Sequence, residues 1–205
     1  MPMYLIEPPL QRVKLKQLRP TQMTVGFKEV QRKHDKWARK SEKKRADFIS
    51  EMIFPTVIGP GGQLYILDHH HEAVALLQER SQEVQSGLVK DLSTLTQEAF
   101  WVFLDHYSWS HCYDVNGRRQ PAKQMPKRFE DLADDPYRSL ASDVQKRGGF
   151  AKSEEPILEF LWANHFRDHI GGATLKSNPK KATSEALALA KSKQSRYLPG
   201  WSGKE

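Results

Sequence analysis

The segment 55–78 constrains the fold most, because two strand patterns, a turn and a helix pattern follow one another directly. Residues 56–58 and 64–67 are β-branched or apolar runs, and 59–62 between them is Gly-Pro-Gly-Gly. Glycines tolerate the positive φ angles of a tight turn. The hydrophobic period then becomes helical, at Ala73, Val74, Leu76 and Leu77. We therefore predict a β-hairpin that leads directly into a helix.

The predicted corner between strand and helix reads Asp68-His69-His70-His71-Glu72. The first turn of a helix presents unpaired N–H groups and the positive end of the helix dipole, which favour an anion such as phosphate. Histidine donates hydrogen bonds to phosphate and exchanges protons near neutral pH. We interpret the corner as a candidate catalytic or phosphate-binding site.

Two other interpretations of the corner stay open. Three adjacent histidines suggest a transition-metal site, although their spacing is not the i, i+4 pair of a helix-borne zinc site. The chain has one cysteine, Cys112, and no second ligand cluster nearby in sequence. Alternatively, Asp68 caps the helix and the histidines are ordinary polar residues.

Charge indicates acidic partners, since the formal net charge is +7 and the pI is near 9.4. Residues 28–47 contain nine Lys or Arg and four Asp or Glu. Phe27, Val30, His34 and Trp37 recur at helical spacing, which predicts a helix with basic faces. Such a helix either contacts DNA phosphates or is merely solvated.

The sequence contains no apolar run approaching about 20 residues, so we expect no membrane span. It also lacks the pattern of an export signal, and a single cysteine cannot form an internal disulfide. We therefore expect a cytoplasmic protein, while an exported protein without its signal remains the alternative.

Further elements follow from the same patterns. Strands are predicted at 12–18 and 84–92, and helices at 94–107, from Asp135-Pro136 to Gly148-Gly149, and from Pro156 to Gly171. This organisation predicts an α+β module at 1–107, a helical extension packed on it at 108–175, and a basic, mobile tail at 176–205, in which 183–193 could be helical. His165 and His169 have the i, i+4 spacing of metal ligands, but aromatic neighbours favour a packing role.

Several of these segments resemble the ParB/sulfiredoxin superfamily, and more narrowly the ParB-like nuclease family. The resemblance rests on Leu-Arg-Pro-Thr-Gln at 18–22, Phe-Pro-Thr-Val-Ile at 54–58, and the 65–77 strand, corner and helix. It covers roughly residues 10–95. It implies a sulfiredoxin-like small mixed sheet, and a corner that binds the phosphates of ATP, ADP or CTP.

Two residues depart from the superfamily pattern: His69 replaces a glycine, and Glu72 replaces an arginine that neutralises phosphate. A carboxylate there repels phosphate unless another cation compensates or Asp68 or Glu72 holds a magnesium ion. The resemblance extends to Asp-Asp-Pro-Tyr-Arg-Ser-Leu at 134–140. We therefore expect the missing positive charge to come from Arg138, Lys146 and Arg147.

Three functions are compatible with the sequence. The first is a nucleotide-dependent phosphotransferase or hydrolase, with His69, His70 and His71 on the phosphates, His71 as acid or phosphate donor, and Asp68 or Glu29 as base or metal ligand. The second is a DNA-binding protein or nuclease that uses helix 28–47. The third is a non-catalytic binding module. The first is favoured, and the sequence leaves the oligomeric state open.

Overall fold

The computed structural model describes residues 10–78, 83–153, 155 and 157–203, and every statement below concerns these residues. The chain divides into two compact units built from non-contiguous segments. Among the described residues, the first unit draws on 10–23, 30–78, 83–112 and 120–132. The second draws on Thr24–Glu29, Tyr113–Arg119 and the described part of 133–203.

The first half of the chain contains both strands and helices, whereas the second half is mostly helical. The strands are β1 (Leu10–Lys14), β2 (Leu18–Arg19), β3 (Thr24–Val25), β4 (Ile53–Ile58), β5 (Leu64–Ile66), β6 (Glu83–Asp91) and β7 (Ala133–Asp134). The α-helices are α1 (Phe27–Ala38), α2 (Glu42–Glu51), α3 (His70–Gln78), α4 (Gln97–His106), α5 (Pro136–Lys146), α6 (Leu158–His169), α7 (Gly172–Ser177) and α8 (Pro179–Lys191).

The first unit is organised by a mixed five-stranded sheet with the strand order β1-β6-β4-β5-β2. Strands β4 and β5 form the predicted antiparallel hairpin, with Thr56 opposite Ile66 and Ile58 opposite Leu64. Strand β6 runs parallel to β4 and antiparallel to β1. The α+β class predicted from the sequence is confirmed, as are the hairpin and the helix that follows it.

The single helix predicted over 28–47 is wrong, since α1 ends at Ala38 and α2 begins at Glu42. Ser41 caps α2 by accepting a hydrogen bond from the Lys44 N–H. The Arg45 guanidinium donates to the carbonyl oxygens of Ala38 and Lys40, at 2.6 and 3.0 Å. Carbonyls left open at the end of α1 are thereby satisfied by a side chain from α2, which stabilises the break.

The predicted strand over 12–18 is interrupted as well. Strand β1 ends at Lys14, and a 3₁₀ turn, Leu15–Gln17, precedes the two-residue strand β2. Leu15 and Leu18 are fully buried in spite of the turn. The alternation of Val13, Leu15 and Leu18 predicted a continuous strand, which the turn breaks, and Val13 is only half-buried.

One hydrophobic cluster of the first unit lies between the sheet and α4. Val57 and Tyr65 from the hairpin pack against Phe100 and Leu104 from α4. The Tyr65 and Phe100 ring centroids are 4.8 Å apart. This packing fixes the end of β5, and with it the start of the corner that follows.

The second unit has a separate core, formed by α5, α6 and α8. Helix α5 begins at Pro136 and ends before Gly148, as predicted; Pro156, the predicted start of α6, lies outside the described residues. Trp162 of α6 is fully buried and stacks on Phe150, with 4.1 Å between the ring centroids. Two parallel two-residue strands, β3 and β7, also belong to this unit.

The basic tail, predicted to be mobile, is largely packed in the structure. Ala182, Ala186 and Ala190 recur every four residues on α8 and are completely buried, and Leu198 joins the same core. Alanines at i, i+4 form a narrow apolar stripe that lets a neighbouring helix approach closely. The prediction of a mobile tail rested on its high lysine content and did not take this alanine spacing into account. Among the described helices, none is long and apolar enough to cross a membrane.

Candidate functional site

The corner after β5 is built by an unusual backbone conformation at His69. Its φ is +66°, in the left-handed region that glycine adopts without steric cost. The Asp68 carboxylate accepts a hydrogen bond from the His69 N–H at 2.6 Å, and the His69 carbonyl accepts from Ala73 at 2.8 Å as the first bond of α3. The His69 ring also lies edge-on to Phe54. These contacts hold the turn although a histidine occupies a position that favours glycine.

His70 is buried and joined to the segment between β2 and β3. Its Nε2 atom accepts a hydrogen bond from the Thr21 N–H at 3.0 Å. The Thr21 hydroxyl donates to the carbonyl oxygen of Ile66, at 2.8 Å. Because Nε2 accepts, we infer that neutral His70 carries its ring proton on Nδ1. The Pro-Thr-Gln segment and the corner therefore form one hydrogen-bonded assembly.

The other two predicted catalytic residues of the corner are more accessible. His71 is half-buried in the first turn of α3, and Asp68 is exposed just before it. In the first unit, these two side chains can therefore be reached by a ligand, whereas only 5% of the His70 surface is exposed. His71 and Asp68 suit proton transfer, and His70 suits positioning of the corner.

A cation compensates the carboxylate of Glu72. Lys33 of α1 forms an ion pair and hydrogen bond with Glu72, in which the two side chains are 32% and 18% exposed. His69 Nδ1 lies 4.0 Å from the second carboxylate oxygen of Glu72. The ion pair cancels the negative charge that a carboxylate would otherwise place at the first turn of α3. Glu72 is therefore compatible with an anion at this corner.

The predicted base Glu29 belongs to the second unit. Its carboxylate accepts hydrogen bonds from the Ser142 hydroxyl at 2.9 Å and from the Lys146 ammonium at 2.7 Å. Two predicted site residues, Glu29 and Lys146, thus bind each other. A catalytic role of Glu29 stays a prediction.

Arg138 is buried in the second unit, where its guanidinium donates to the Thr24 carbonyl at 2.7 Å. It also lies 3.5 Å from a Glu159 carboxylate oxygen and over the Phe160 ring, 3.9 Å from the centroid. Arg147 is exposed directly after α5. The structure thus gives Arg138 structural contacts within its own unit, and the phosphate-binding role of Arg138 and Arg147 stays a prediction.

Residues 11–168 match the family described as "Putative ParB-like nuclease". The chain belongs to this family. It is also similar to a solved structure, protein Atu1540 from Agrobacterium tumefaciens, with 39% identity, a TM-score of 0.92, and coverage of 98% of this chain and 100% of that one. No curated protein matches the sequence.

A second solved structure shows only a weak likeness. It is the C-terminally truncated chromosome-partitioning protein ParB from Caulobacter crescentus, complexed with CTP-γ-S. The identity is 10% and the TM-score 0.33, over 89% of this chain and 97% of that one. These values are too low to support a conclusion about ligands.

The Asp-Asp-Pro-Tyr-Arg-Ser-Leu segment of this ParB-like nuclease family member forms the start of α5. Asp135 caps the helix by accepting a hydrogen bond from the Tyr137 N–H at 3.0 Å, and it forms a 2.5 Å ion pair with Arg167 of α6. Burial raises the pKa of Asp135 above its ordinary value, against the opposing effect of Arg167. This segment therefore has a clear structural role in the second unit.

His165 and His169 also serve the packing of the second unit, as their aromatic neighbours indicated. The Ser195 hydroxyl donates to the Leu189 carbonyl, so His165 Nε2–H donates to the Ser195 oxygen at 2.8 Å. Tyr197 then donates its hydroxyl proton to His165 Nδ1 at 3.0 Å. Burial lowers the pKa of His165, in agreement with this neutral tautomer.

No group of three or more His, Cys, Asp or Glu side chains within the described ranges is arranged to hold a metal ion. At the corner, the Asp68 carboxylate is exposed and Glu72 is paired with Lys33. Asp68 is therefore the better placed of the two predicted magnesium ligands, and metal binding there stays a prediction.

Sequence reasoning missed two residues that complete the corner, Thr21 and Lys33. Thr21 lay within a segment that was noted only for its resemblance, and its link to His70 spans 49 positions. Lys33 is one of nine basic residues in 28–47 and carries no local signal that separates it from the others. Its position four residues before Trp37, on the buried side of the helix, was the available clue.

Proposed function

We propose that this protein binds the phosphates of a nucleotide at the corner formed by Asp68, His69, His70, His71 and Glu72, and that it transfers or hydrolyses the terminal phosphoryl group. The ion pair between Lys33 and Glu72 is the observation that carries the proposal. It removes the repulsion that made Glu72 the main objection to phosphate at this corner. ATP, ADP and CTP are the ligands implied by the superfamily resemblance.

The helix geometry supports the same ligand. Helix α3 has nine residues and starts at His70, so its first N–H groups and its positive dipole end lie at the corner. The hydrogen bond from Thr21 to His70 holds that first turn in place. A phosphate at this point accepts hydrogen bonds from a preorganised backbone.

The accessible side chains provide acid and base groups. For hydrolysis, a water oxygen forms the new bond to the terminal phosphorus while the bond to the leaving phosphate oxygen breaks. Asp68 takes the proton of the water, and protonated His71 gives a proton to the leaving oxygen. His70 positions the turn. Asp68 would be the residue to hold a magnesium ion carried by the nucleotide, and that ion would offset negative charge on the phosphates.

We expect His71→Ala to reduce release of inorganic phosphate from the preferred nucleotide by about 100-fold, the usual contribution of one general acid or base. Phosphate release is followed with wild type and variant at equal concentration, in the presence of magnesium. His106→Ala is the matched control, because His106 is an exposed histidine at the end of α4. Equal rates for wild type and His71→Ala would contradict the catalytic role of the corner.

DNA binding or cleavage is the second candidate, and it is favoured by exposed basic side chains around the break between α1 and α2. These side chains are Lys36, Arg39, Lys43 and Lys44. Because DNA binding through them would release counterions, the affinity would fall steeply with salt concentration. Nucleotide binding at the corner does not require these residues.

A further inference from the structure

The first unit contains a cavity of about 170 Å³ between one face each of α1, α2 and α3. The lining residues follow helical spacing, with Lys33, Trp37 and Lys40 on and just after α1, and Ala75 and Leu76 on α3. Another protein's apolar cavity of about 150 Å³ binds benzene. The space therefore accommodates one aromatic ring or a short aliphatic chain.

The rim of the cavity is positively charged. Three lysines, Lys33, Lys36 and Lys40, line the cavity, and Glu72 is the one acidic residue among the described lining residues. Because Lys33 pairs with Glu72, the positive charges of Lys36 and Lys40 give the cavity lining a net positive charge. A ligand with one negative charge is therefore favoured over a neutral one.

The floor of the cavity is apolar and aromatic. The Trp37 and Phe48 rings meet edge to face, with centroids 5.6 Å apart, and Leu76 is 3% exposed. The Lys40 ammonium lies 5.3 Å from the centre of the Phe48 ring. One side of the cavity thus suits a hydrophobic group, while a cation stands beside it.

Trp37 adds a hydrogen-bond donor. Its side chain is buried, with 7% exposure, and its indole N–H meets no acceptor among the described residues. A buried donor without a partner costs free energy. Trp37 lines the cavity, so a ligand oxygen that reached this N–H would satisfy it.

We propose that this cavity binds a small amphipathic carboxylate, an aromatic or short-chain acid. Its apolar part lies against Phe48 and Leu76, and its carboxylate is held by Lys36 and Lys40. The Trp37 N–H donates to one carboxylate oxygen. The site does not depend on nucleotide binding at the corner, although Glu72 and Lys33 border both.

Calorimetric titration of the full chain with benzoate, and with benzyl alcohol as a neutral analogue of similar size, tests the proposal. We expect benzoate to bind, and benzyl alcohol to bind about tenfold more weakly because it lacks the charge-assisted hydrogen bonds. Absence of benzoate binding, or equal binding of the two compounds, would overturn the proposal.

Variants locate the binding on the molecule. Lys40→Ala is expected to lower the affinity for benzoate about tenfold. Trp37→Phe keeps an aromatic ring but removes the N–H donor, and it is expected to lower this affinity several-fold. Lys43→Ala is the control, since Lys43 is exposed on α2 and does not line the cavity. If Lys43→Ala lowers the benzoate affinity as much as Lys40→Ala does, benzoate is attracted non-specifically by positive charge, and the proposed site is refuted.

The two proposals fail separately. His71→Ala removes a corner side chain that does not line the cavity, so benzoate affinity should be unchanged in it. If nucleotides do not bind but benzoate binds with the expected variant pattern, the cavity proposal holds without the corner. A benzoate affinity that falls in His71→Ala but not in Lys40→Ala would assign the anion to the corner and overturn the cavity site.

Discussion

Asp135→Ala is expected to lower the free energy of unfolding of the second unit by about 3 kcal/mol, because it removes the carboxylate partner of the largely buried Arg167 guanidinium. Asp135 and Arg167 are 4% and 14% exposed in their side chains. The same carboxylate caps α5 at Tyr137, and loss of a helix cap costs about 1 kcal/mol of that total. Urea denaturation followed by circular dichroism measures the change.

The direction of the Asp135 pKa shift separates the cost of burying its carboxylate from the contributions of Arg167 and the helix cap. Because burial raises the pKa of Asp135, ionised Asp135 is less favourable in the folded than in the unfolded chain, and this cost appears as pH rises through the folded pKa. The expected loss in Asp135→Ala therefore arises from the lost carboxylate partner of Arg167 and the missing cap, and not from the carboxylate's own burial.

Two further variants separate these contributions. Asp135→Asn keeps an oxygen for the cap but removes the charge, so we expect a loss smaller than that of Asp135→Ala. Glu185→Ala removes an exposed glutamate that pairs with Lys181 on the surface of α8 in the same unit, and should leave stability nearly unchanged. If Asp135→Ala and Glu185→Ala unfold at the same urea concentration, the buried ion pair does not stabilise the unit.

His70→Ala is expected to destabilise the first unit by about 3 kcal/mol, through the cavity it leaves and the loss of an acceptor for Thr21. Both residues are buried, so water does not readily replace the imidazole. The variant should also lose nucleotide affinity, because the first turn of α3 is no longer tied to the β2–β3 segment. Denaturant unfolding and nucleotide titration measure the two effects.

A glutamine at this position tests the hydrogen bond itself. The side-chain oxygen of His70→Gln reaches about as far as Nε2 and can accept from Thr21, so we expect it to recover more than half of the stability lost in His70→Ala. Equal destabilisation by alanine and glutamine would show that the bond from Thr21 is unimportant.

The sequence predicted those elements that are marked by turn or capping residues a few positions apart. The β4–β5 hairpin follows from Gly-Pro-Gly-Gly between two apolar runs, and α5 follows from Asp135-Pro136 at its start and Gly148 after its end. Each of these signals acts within a few residues, where backbone sterics and capping dominate. They were therefore visible without any knowledge of tertiary contacts.

The features that the sequence did not reveal depend on longer-range contacts. The break after Ala38 is stabilised by Arg45 from the next helix, and the packed tail depends on alanines that bury against α5. At the candidate site, the corner was predicted from its own residues, but Thr21 and Lys33 come from elsewhere in the chain. No periodicity within a single element encodes such a pairing.

We propose that the corner holds a nucleotide phosphate because Lys33 neutralises Glu72. Calorimetric titration with ATP, ADP, CTP and GTP, each with and without magnesium, tests it on wild type, Lys33→Ala and Lys33→Ala/Glu72→Ala. We predict that wild type binds at least one nucleotide, that Lys33→Ala weakens it about tenfold, and that removal of Glu72 as well restores much of the affinity. Absence of nucleotide binding in wild type under both conditions would contradict the claim and favour DNA or a non-catalytic role.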